Sequence, residues 1–183
     1  MKFNFKKKNV FLVGILFLKS LFFSENVIAS ENPIIFMTLK SGIVKIEMFP
    51  DYAPNTVKRI IQLSNEGFYD GLTFHRVIKG FMAQGGDPDG NGTGGSGKNI
   101  KAEFNDLKHT RGIISMARAQ DPNSADSQFF ICYDTHPFLD NNYTAFGKVI
   151  EGMHLIDRIP EGKGQNGQVI ENPTKIISMR LKK

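Results

Sequence analysis

The sequence predicts a mainly β fold: a closed barrel of about eight short strands whose openings are covered by two helices. Three observations predict it. The apolar residues recur mostly with a period of two, which is typical of strands with one buried face. The chain has 18 Gly and 8 Pro, residue types that end strands and form turns. Only two segments have helical periodicity. A length of 183 residues suits one domain.

The first two predicted strands form a hairpin. Ile34–Leu39 is an apolar strand, Ser41 and Gly42 form a two-residue turn, and Ile43–Phe49 alternates between apolar and polar residues. A short turn between two such segments is a hairpin signal. Six further short strands are predicted at Thr73–Val77, Phe81–Gly85, Ile113–Ala117, Gln128–Cys132, Ala145–Val149 and Lys175–Leu181.

Two segments are predicted to be helical. The first begins at Pro54 and ends before Gly67, which follows the preference for proline at the start of a helix and glycine after its end. Its apolar stripe consists of Val57, Ile60, Ile61 and Ser64. The second helix is shorter, covers Met153–Ile159 and follows Gly152.

Residues 1–29 have the organisation of a secretory signal peptide, and residues 30–183 are the predicted folded domain. Residues 1–8 are basic, residues 10–18 are an unbroken apolar run, and Val27-Ile28-Ala29 places small residues before a cut at Ser30. The signal predicts export, to a periplasm or to the medium, and no membrane attachment after cleavage. The alternative is an uncleaved anchor. That alternative is weakened because residues 10–23 are shorter than the roughly 20 residues that span a bilayer.

The charge of the chain is concentrated in this leader. The whole chain carries +5, whereas residues 30–183 contain 18 basic and 17 acidic residues. A nearly neutral domain gives no electrostatic reason to expect nucleic-acid binding. The single cysteine, Cys132, excludes an intramolecular disulfide. Its apolar neighbours predict a buried thiol that acts as a small hydrophobic side chain.

The glycine-rich segment 85–97 matches three ligand-binding patterns incompletely. Its Gly-x-Gly-x-x-Gly run is followed by no helical pattern. Asn99 stands where a P-loop needs Ser or Thr, and Lys98 stands where an EF-hand needs a bidentate Glu. We therefore predict a structural loop. With four scattered histidines and no cysteine pair, we expect neither a metal nor an organic cofactor. A Ser-His-Asp hydrolase is disfavoured because no Gly-x-Ser-x-Gly motif is present.

Several motifs, in order, resemble the cyclophilin family of peptidyl-prolyl cis–trans isomerases. They are FHRVIKGFMAQGGD at 74–87, GIISMA at 112–117, SQFFI at 127–131, FLD at 138–140 and FGKV at 146–149. The resemblance covers residues 34–183. The insert at residues 118–124 is similar to that of the bacterial exported branch. The resemblance implies an eight-stranded antiparallel β-barrel closed by two helices, which agrees with the elements predicted above.

The resemblance also implies the roles of individual residues. Arg76 corresponds to the essential guanidinium, and Gln84 corresponds to the amide that positions it. The proline pocket is implied at Phe81, Met82, Phe130 and Leu139, and further substrate contacts are implied at His75, Ala117, Gln128, Phe138 and Tyr143. Taken singly, each residue also has an ordinary structural reading, since an Arg on a strand is commonly solvated and a Phe is commonly core. The roles therefore depend on the motifs occurring together.

Two positions depart from the pattern of many eukaryotic members. Phe138 stands where they have Trp, and Tyr143 stands where they have His. The indole N–H is a hydrogen-bond donor that Phe lacks. We therefore expect cyclosporin-type ligands to bind weakly, while the proline pocket is unaffected.

The sequence thus predicts a peptidyl-prolyl isomerase, expected to be monomeric, whose partners are proline-containing unfolded or partly folded exported polypeptides. The alternative is a non-catalytic chaperone module that binds proline peptides in the same groove. Retention of Arg76, Phe81, Gln84 and Phe130 favours catalysis, whereas a degraded pocket would favour binding alone.

Overall fold

The structure is a computed structural model that describes residues 1–2 and 31–182. The predicted signal segment therefore lies almost entirely outside the described residues. Within 31–182 the chain forms eight strands and two α-helices, in the order β1 Ile34–Leu39, β2 Gly42–Met48, α1 Pro54–Asn65, β3 Arg76–Ile78, β4 Met82–Gly85, β5 Ile113–Met116, β6 Phe129–Cys132, β7 Ala145–Glu151, α2 Met153–Ile156 and β8 Ile176–Leu181. Two 3₁₀ turns lie at Pro122–Ser124 and Pro137–Leu139.

All eight strands belong to one curled antiparallel sheet, in the order β3-β4-β6-β5-β7-β2-β1-β8. The predicted mainly β, antiparallel architecture is confirmed. The ladder of named strands ends at β3 and β8, so it does not show the closed barrel that we predicted. Between these edges, Thr73 and Lys175 form an isolated bridge, and Phe74 N–H donates to the Thr174 carbonyl at 2.9 Å.

The hairpin is confirmed, with its turn shifted by one residue. Leu39 pairs with Gly42, which leaves Lys40 and Ser41 as the two turn residues. Gly42 itself joins the strand with φ of 144°, a conformation that side chains rarely permit. The turn lies one residue earlier than the predicted 41–42. The register of the two strands decides this, and the register depends on which residues bury their side chains.

Helix α1 begins at Pro54 and packs against β8. Its buried face includes Val57, Ile60 and Ser64 of the predicted stripe together with Leu63, whereas Ile61 is only partly buried. The helix start is capped by Glu103, whose carboxylate accepts the backbone N–H groups of Asn55 and Thr56 at 3.0 and 2.8 Å. These donors, together with the Asn55 and Thr56 side chains, outweigh the opposing effect of burial and lower the pKa of Glu103.

The two faces of the sheet carry separate apolar clusters. The larger one is the main core, which includes Phe129 and Ile131 of β6 and Ala83 of β4. The smaller one consists of Met82, Phe130, Cys132 and Leu139. Since neighbouring residues of a strand point to opposite faces, β4 and β6 separate the two clusters and contribute to both. Within 31–182, no helix has the length and apolar character needed to cross a bilayer.

Candidate active site

The small cluster forms the floor of an open groove of about 630 Å³. Met82 and Leu139 are 1% and 3% exposed, whereas Phe81 is partly buried at the edge. The groove lining includes nine of the eleven residues proposed from the sequence: Arg76, Phe81, Met82, Gln84, Ala117, Phe130, Phe138, Leu139 and Tyr143. A tenth, Gln128, lines an adjoining pocket of about 190 Å³ that shares Gln84 and Ala117 with the groove.

The eleventh proposed residue, His75, lines neither the groove nor the adjoining pocket. It immediately precedes β3, in which Arg76 lies at the groove and Val77 enters the main core. The His75 side chain is buried, and neither ring nitrogen has a hydrogen-bond partner among the described residues. Burial lowers its pKa, with Asp87 opposing the shift. His75 therefore does not line the groove as proposed, because its neighbour in the chain occupies the groove side.

Arg76 is held at the groove wall by two elements that are far apart in sequence. Its Nε donates to the Asn166 carbonyl at 2.9 Å, and its Nη1 donates to Gln84 Oε1 at 3.0 Å. Nη1 also lies 4.0 Å from the sulfur of Met82, which is part of the groove floor. Within residues 31–182, Nη2 makes no hydrogen bond, so this donor remains available beside the apolar floor. Desolvation lowers the pKa of Arg76, but a guanidinium remains charged in proteins.

A chain of hydrogen bonds continues from Arg76 along the groove. Because a guanidinium only donates, Gln84 must present its oxygen to Arg76 and its amide nitrogen to the next residue. That nitrogen donates to Gln128 Oε1 at 2.9 Å. The Gln128 amide nitrogen in turn donates to the carbonyls of Gly92 and Gly94 at 3.1 and 2.8 Å. The glycine-rich loop thus anchors the chain that orients the cation.

Asp87 shapes this glycine-rich loop. Its buried carboxylate accepts the backbone N–H groups of Asp89, Asn91 and Gly92. Burial opposes ionisation, but these three donors and nearby His75 lower the pKa of Asp87 overall. No cluster of metal-ligating side chains is found among the described residues. The first aspartate of the EF-hand-like pattern serves the loop backbone, since it accepts these three N–H groups.

Aromatic side chains pack against one another both at the floor and at the rim of the groove. Tyr143 meets Phe130 with ring centroids 5.7 Å apart and an interplanar angle of 84°. The Arg118 guanidinium lies 4.8 Å from the Tyr143 ring centroid, a cation–π distance. Phe138 is 65% exposed and lies 5.7 Å from Phe81. Phe138 is therefore at the rim of the groove, whereas Phe130 is at the floor.

A buried polar chain lies beneath Phe130 and was missed in the sequence. His109 is placed between Asp140 Oδ1, 3.0 Å from Nδ1, and Ser115 Oγ, 3.1 Å from Nε2. Its ring stacks on Phe130 with an interplanar angle of 19°. Ser115 is fully buried, so this Ser-His-Asp chain has no exposed nucleophile and supports the floor instead. Asn166 and Arg118 were also missed, since both contacts depend on tertiary folding.

Cys132 lies at the base of the same floor. It is fully buried and pairs across the ladder with Met82. Desolvation by burial, with a smaller effect from Asp140, raises the pKa of its thiol to about 12. A thiol that stays protonated is a poor nucleophile, so the predicted structural role is confirmed.

Comparisons with known proteins identify the family. The family described as "Cyclophilin type peptidyl-prolyl cis-trans isomerase/CLD" matches residues 34–181. A probable peptidyl-prolyl cis-trans isomerase of Brucella suis is 46% identical over 163 residues, which cover 82% of this chain and 83% of the relative. Peptidyl-prolyl cis-trans isomerase B of Bacillus subtilis is 47% identical over 129 residues, 69% of this chain and 90% of the relative.

A solved structure supports the same assignment. The crystal structure of a Cryptosporidium parvum cyclophilin-type isomerase, in the presence of the dipeptide Ala-Pro, is similar with a TM-score of 0.74 and 34% identity. The match covers 82% of this chain and 99% of the other. With the fold, the groove and the guanidinium in place, the chain belongs to the cyclophilin-type peptidyl-prolyl cis–trans isomerases.

Proposed function

We propose that the chain rotates X–Pro bonds with the proline ring seated on the small apolar cluster and with Arg76 as the catalytic cation. The observation that carries this proposal is the placement of Arg76, fixed by Gln84 and the Asn166 carbonyl against Met82 of the floor. The Ala-Pro dipeptide belongs to the related crystal structure. It supports the groove as a site for proline peptides.

The chemistry of the reaction explains why these side chains suffice. An amide resists rotation by roughly 18–20 kcal/mol, because the nitrogen lone pair is conjugated with the carbonyl. In the twisted state that lone pair is localised on nitrogen and can accept a hydrogen bond. A donor placed to favour the twisted state more than the planar state lowers the barrier. No covalent bond is made or broken, so the reaction needs no nucleophile.

Arg76 is suited to be that donor because its position is already set. Two of its nitrogens are committed to protein acceptors, which leaves Nη2 to address the prolyl nitrogen or the adjacent carbonyl. Holding the group before the substrate binds avoids an entropic cost during rotation. Gln84 is a positioning residue in this scheme, and Gln128 positions Gln84. The peptide on the acyl side of the bond would lie along Ala117 and Gln128.

The test is a protease-coupled assay with a cis-prolyl peptide on wild type and Arg76→Ala. A hydrogen bond to a charged group contributes about 1.5–3 kcal/mol, so kcat/KM should fall by about two orders of magnitude at the upper end of that range. Arg76→Lys should recover little of the activity that Arg76→Ala loses, since an ammonium lacks the planar fork that reaches two acceptors. Arg158→Ala, on an exposed arginine of the same protein, should leave activity unchanged. A folded Arg76→Ala protein with wild-type activity would contradict the assignment of Arg76 as the catalytic cation.

The non-catalytic chaperone module is not favoured, because it gives no reason to fix a cation beside the pocket. The groove floor would retain peptides without Arg76. If Arg76→Ala lowered both activity and peptide affinity by the same factor, the residue would serve binding alone. A loss in kcat with little change in KM separates catalysis from binding.

We further propose that the protein acts on exported polypeptides after removal of residues 1–29. The support is the order of basic, apolar and small residues before Ser30. N-terminal sequencing of the protein from the periplasmic fraction should begin within about two residues of Ser30. Recovery of the full-length chain in the membrane fraction would support an anchor instead.

A further inference from the structure

A second cleft, of about 410 Å³, lies between the exposed face of α1 and the segment 98–101. Lys58, Arg59, Lys98 and Lys101 line it, together with side-chain amides such as Gln62, and no carboxylate is part of its lining. None of its lining residues lines the proline groove or the pocket that adjoins it. The isomerase reaction therefore does not account for this cleft.

The four cations are not paired directly with carboxylates, although Asp126 lies close enough to accept the Lys98 backbone N–H at 3.2 Å. None of them forms an ion pair within residues 31–182, where six lysine or arginine ion pairs occur elsewhere. The nearby carboxylates are engaged by other donors. Asp126 accepts the side chain of Ser96 and the backbone N–H of Gly97, and Glu103 accepts the N-terminal N–H groups of α1.

This cleft also accounts for an uneven charge distribution. Residues 30–183 contain 18 basic and 17 acidic residues. Setting aside the four cleft cations leaves 14 basic and 17 acidic residues, a net charge of −3. Four like charges placed together repel one another unless salt or a bound anion screens them. An anion in the cleft would relieve that repulsion.

The cleft is held in shape by the fold. Lys58, Arg59 and Gln62 share one face of α1, because residues three and four apart are neighbours on a helix. The opposite wall is fixed by a bond of 2.7 Å from Ile100 N–H to the Ala125 carbonyl. Arg59 Nη2 donates to Ser96 Oγ at 2.7 Å, and its buried Nε has no partner among the described residues. The Arg59 guanidinium is thus oriented by neutral acceptors only.

We infer that this cleft binds a ligand carrying at least two phosphate-type charges. Lysine ammonium groups attract such anions as point charges, and an arginine fork matches phosphate oxygens in pairs. A volume of about 410 Å³ accommodates a compact phosphorylated group better than a length of acidic polypeptide. The same chemistry occurs in soluble polyphosphates and in the headgroups of anionic lipids.

The test is a titration of the full-length chain with inorganic pyrophosphate, followed by amide chemical shifts. Shifts should concentrate at residues 58–62 and 98–101. In a Lys58→Gln/Lys101→Gln double variant the Kd should rise about thirtyfold, since each cation near an anionic group contributes about fivefold. The matched control is Lys40→Gln/Lys175→Gln, which removes two exposed lysines outside the cleft and should change the Kd little. Both variants share the leader, so its basic residues affect them equally.

Comparing pyrophosphate binding with vesicle binding distinguishes a soluble phosphate ligand from a lipid headgroup. Cosedimentation with vesicles of equal parts phosphatidylglycerol and phosphatidylcholine, reduced in the cleft variant but not in the control, would indicate a lipid headgroup. Pyrophosphate binding without a difference between the variants on vesicles would indicate a soluble ligand. Equal weakening of pyrophosphate binding in the cleft and control variants, absence of binding, or tighter binding of a glutamate-rich peptide than of pyrophosphate would overturn the inference. Isomerase activity should be the same in all the variants, so this result is independent of the proline groove.

Discussion

The two faces of β4 and β6 differ in what they bury. On one face, Ala83, Phe129 and Ile131 enter the main core, a closed cluster of buried apolar side chains. On the other face, Met82 and Phe130 form the floor of an open groove, bordered by Arg76 and Gln84. Neighbouring residues on a single strand therefore serve stability and function separately. The backbone hydrogen bonds between β4 and β6 therefore hold the core together and position the groove residues at the same time.

The adjacent residues Phe129 and Phe130 provide the most direct test. Phe129→Ala should lower the free energy of unfolding by about 3–5 kcal/mol, because it leaves a cavity in a closed core. Phe130→Ala should cost less stability, since its cavity opens into an existing groove. It should lower kcat/KM by about ten- to a hundredfold through the lost contact with the proline ring. Urea unfolding and the peptide assay on both variants measure the two effects. Equal stability losses with full activity in Phe130→Ala would show that the faces are not divided.

The rim of the groove should respond differently from its floor. Phe138→Trp should tighten binding of cyclosporin by about one to two orders of magnitude, through extra apolar area and a new N–H donor. Isomerase activity should change little, because Phe138 is exposed and does not touch Arg76 in the observed network. Inhibitor titration and peptide isomerisation on the same two proteins test the prediction. Tight binding by the wild type, or no gain in the Trp variant, would contradict it.

The polar chain on the groove side can be tested at its far end. Gln128→Ala removes the acceptor of the Gln84 amide, and one neutral hydrogen bond contributes about 0.5–1.5 kcal/mol. We expect kcat/KM to fall about three- to tenfold, with a fall in kcat in addition to any rise in KM from the lost peptide contact. Gln62→Ala, on an exposed glutamine of α1, is the matched control. If Gln128→Ala raised KM alone, Gln128 would contact the peptide without positioning Gln84.

The smallest effect that we predict is a dependence of stability on pH. Burial lowers the pKa of both His75 and His109 in the folded state below the ordinary value of about 6.5. Between the folded and unfolded values the unfolded chain binds more protons, so the free energy of unfolding falls as the pH falls below about 6.5. The carboxyl groups with lowered pKa, such as Asp87 and Asp140, add a separate loss below about pH 4.

Urea unfolding at neutral and mildly acidic pH measures this dependence. His75→Phe should reduce the loss of stability in acid, because His75 has no hydrogen-bond partner among the described residues to lose. The loss of stability that remains in His75→Phe on mild acidification would be due to His109 beneath the groove. A stability that stays constant or rises on mild acidification would contradict the assignment of both histidines as buried and neutral.

Local patterns predicted the strands better than their ends. The hairpin, the six further strands and α1 are present near their predicted positions, because alternation and helical spacing are properties of neighbouring residues. The second helix ends at Ile156 rather than Ile159. The start of α1 is capped by Glu103, which is 47 residues from Thr56. No local pattern could indicate that cap, since it requires two distant segments to meet.

The residues of the candidate site also differ in how well the sequence could predict them. Arg76, Phe81, Gln84 and Phe130 were proposed because their motifs resemble the family, and the structure brings them to one groove. His75 was assigned to the groove from the same resemblance, but the fold buries it. The Asn166 carbonyl, 90 residues from Arg76, and the chain from Asp140 through His109 to Ser115 had no signal in the sequence.

The sequence by itself determined the β class, the order of the strands along the chain, the family and most of the groove residues. The β class and the strands follow from residue types and short spacings, which act locally, whereas the family and the groove residues follow from the resemblance of whole motifs. Only the tertiary structure decided which partners fix Arg76, which polar chain supports Phe130, and where the cleft cations gather. These contacts join residues that are tens of positions apart. They form only when the sheet has set the register and brought the segments within hydrogen-bonding distance.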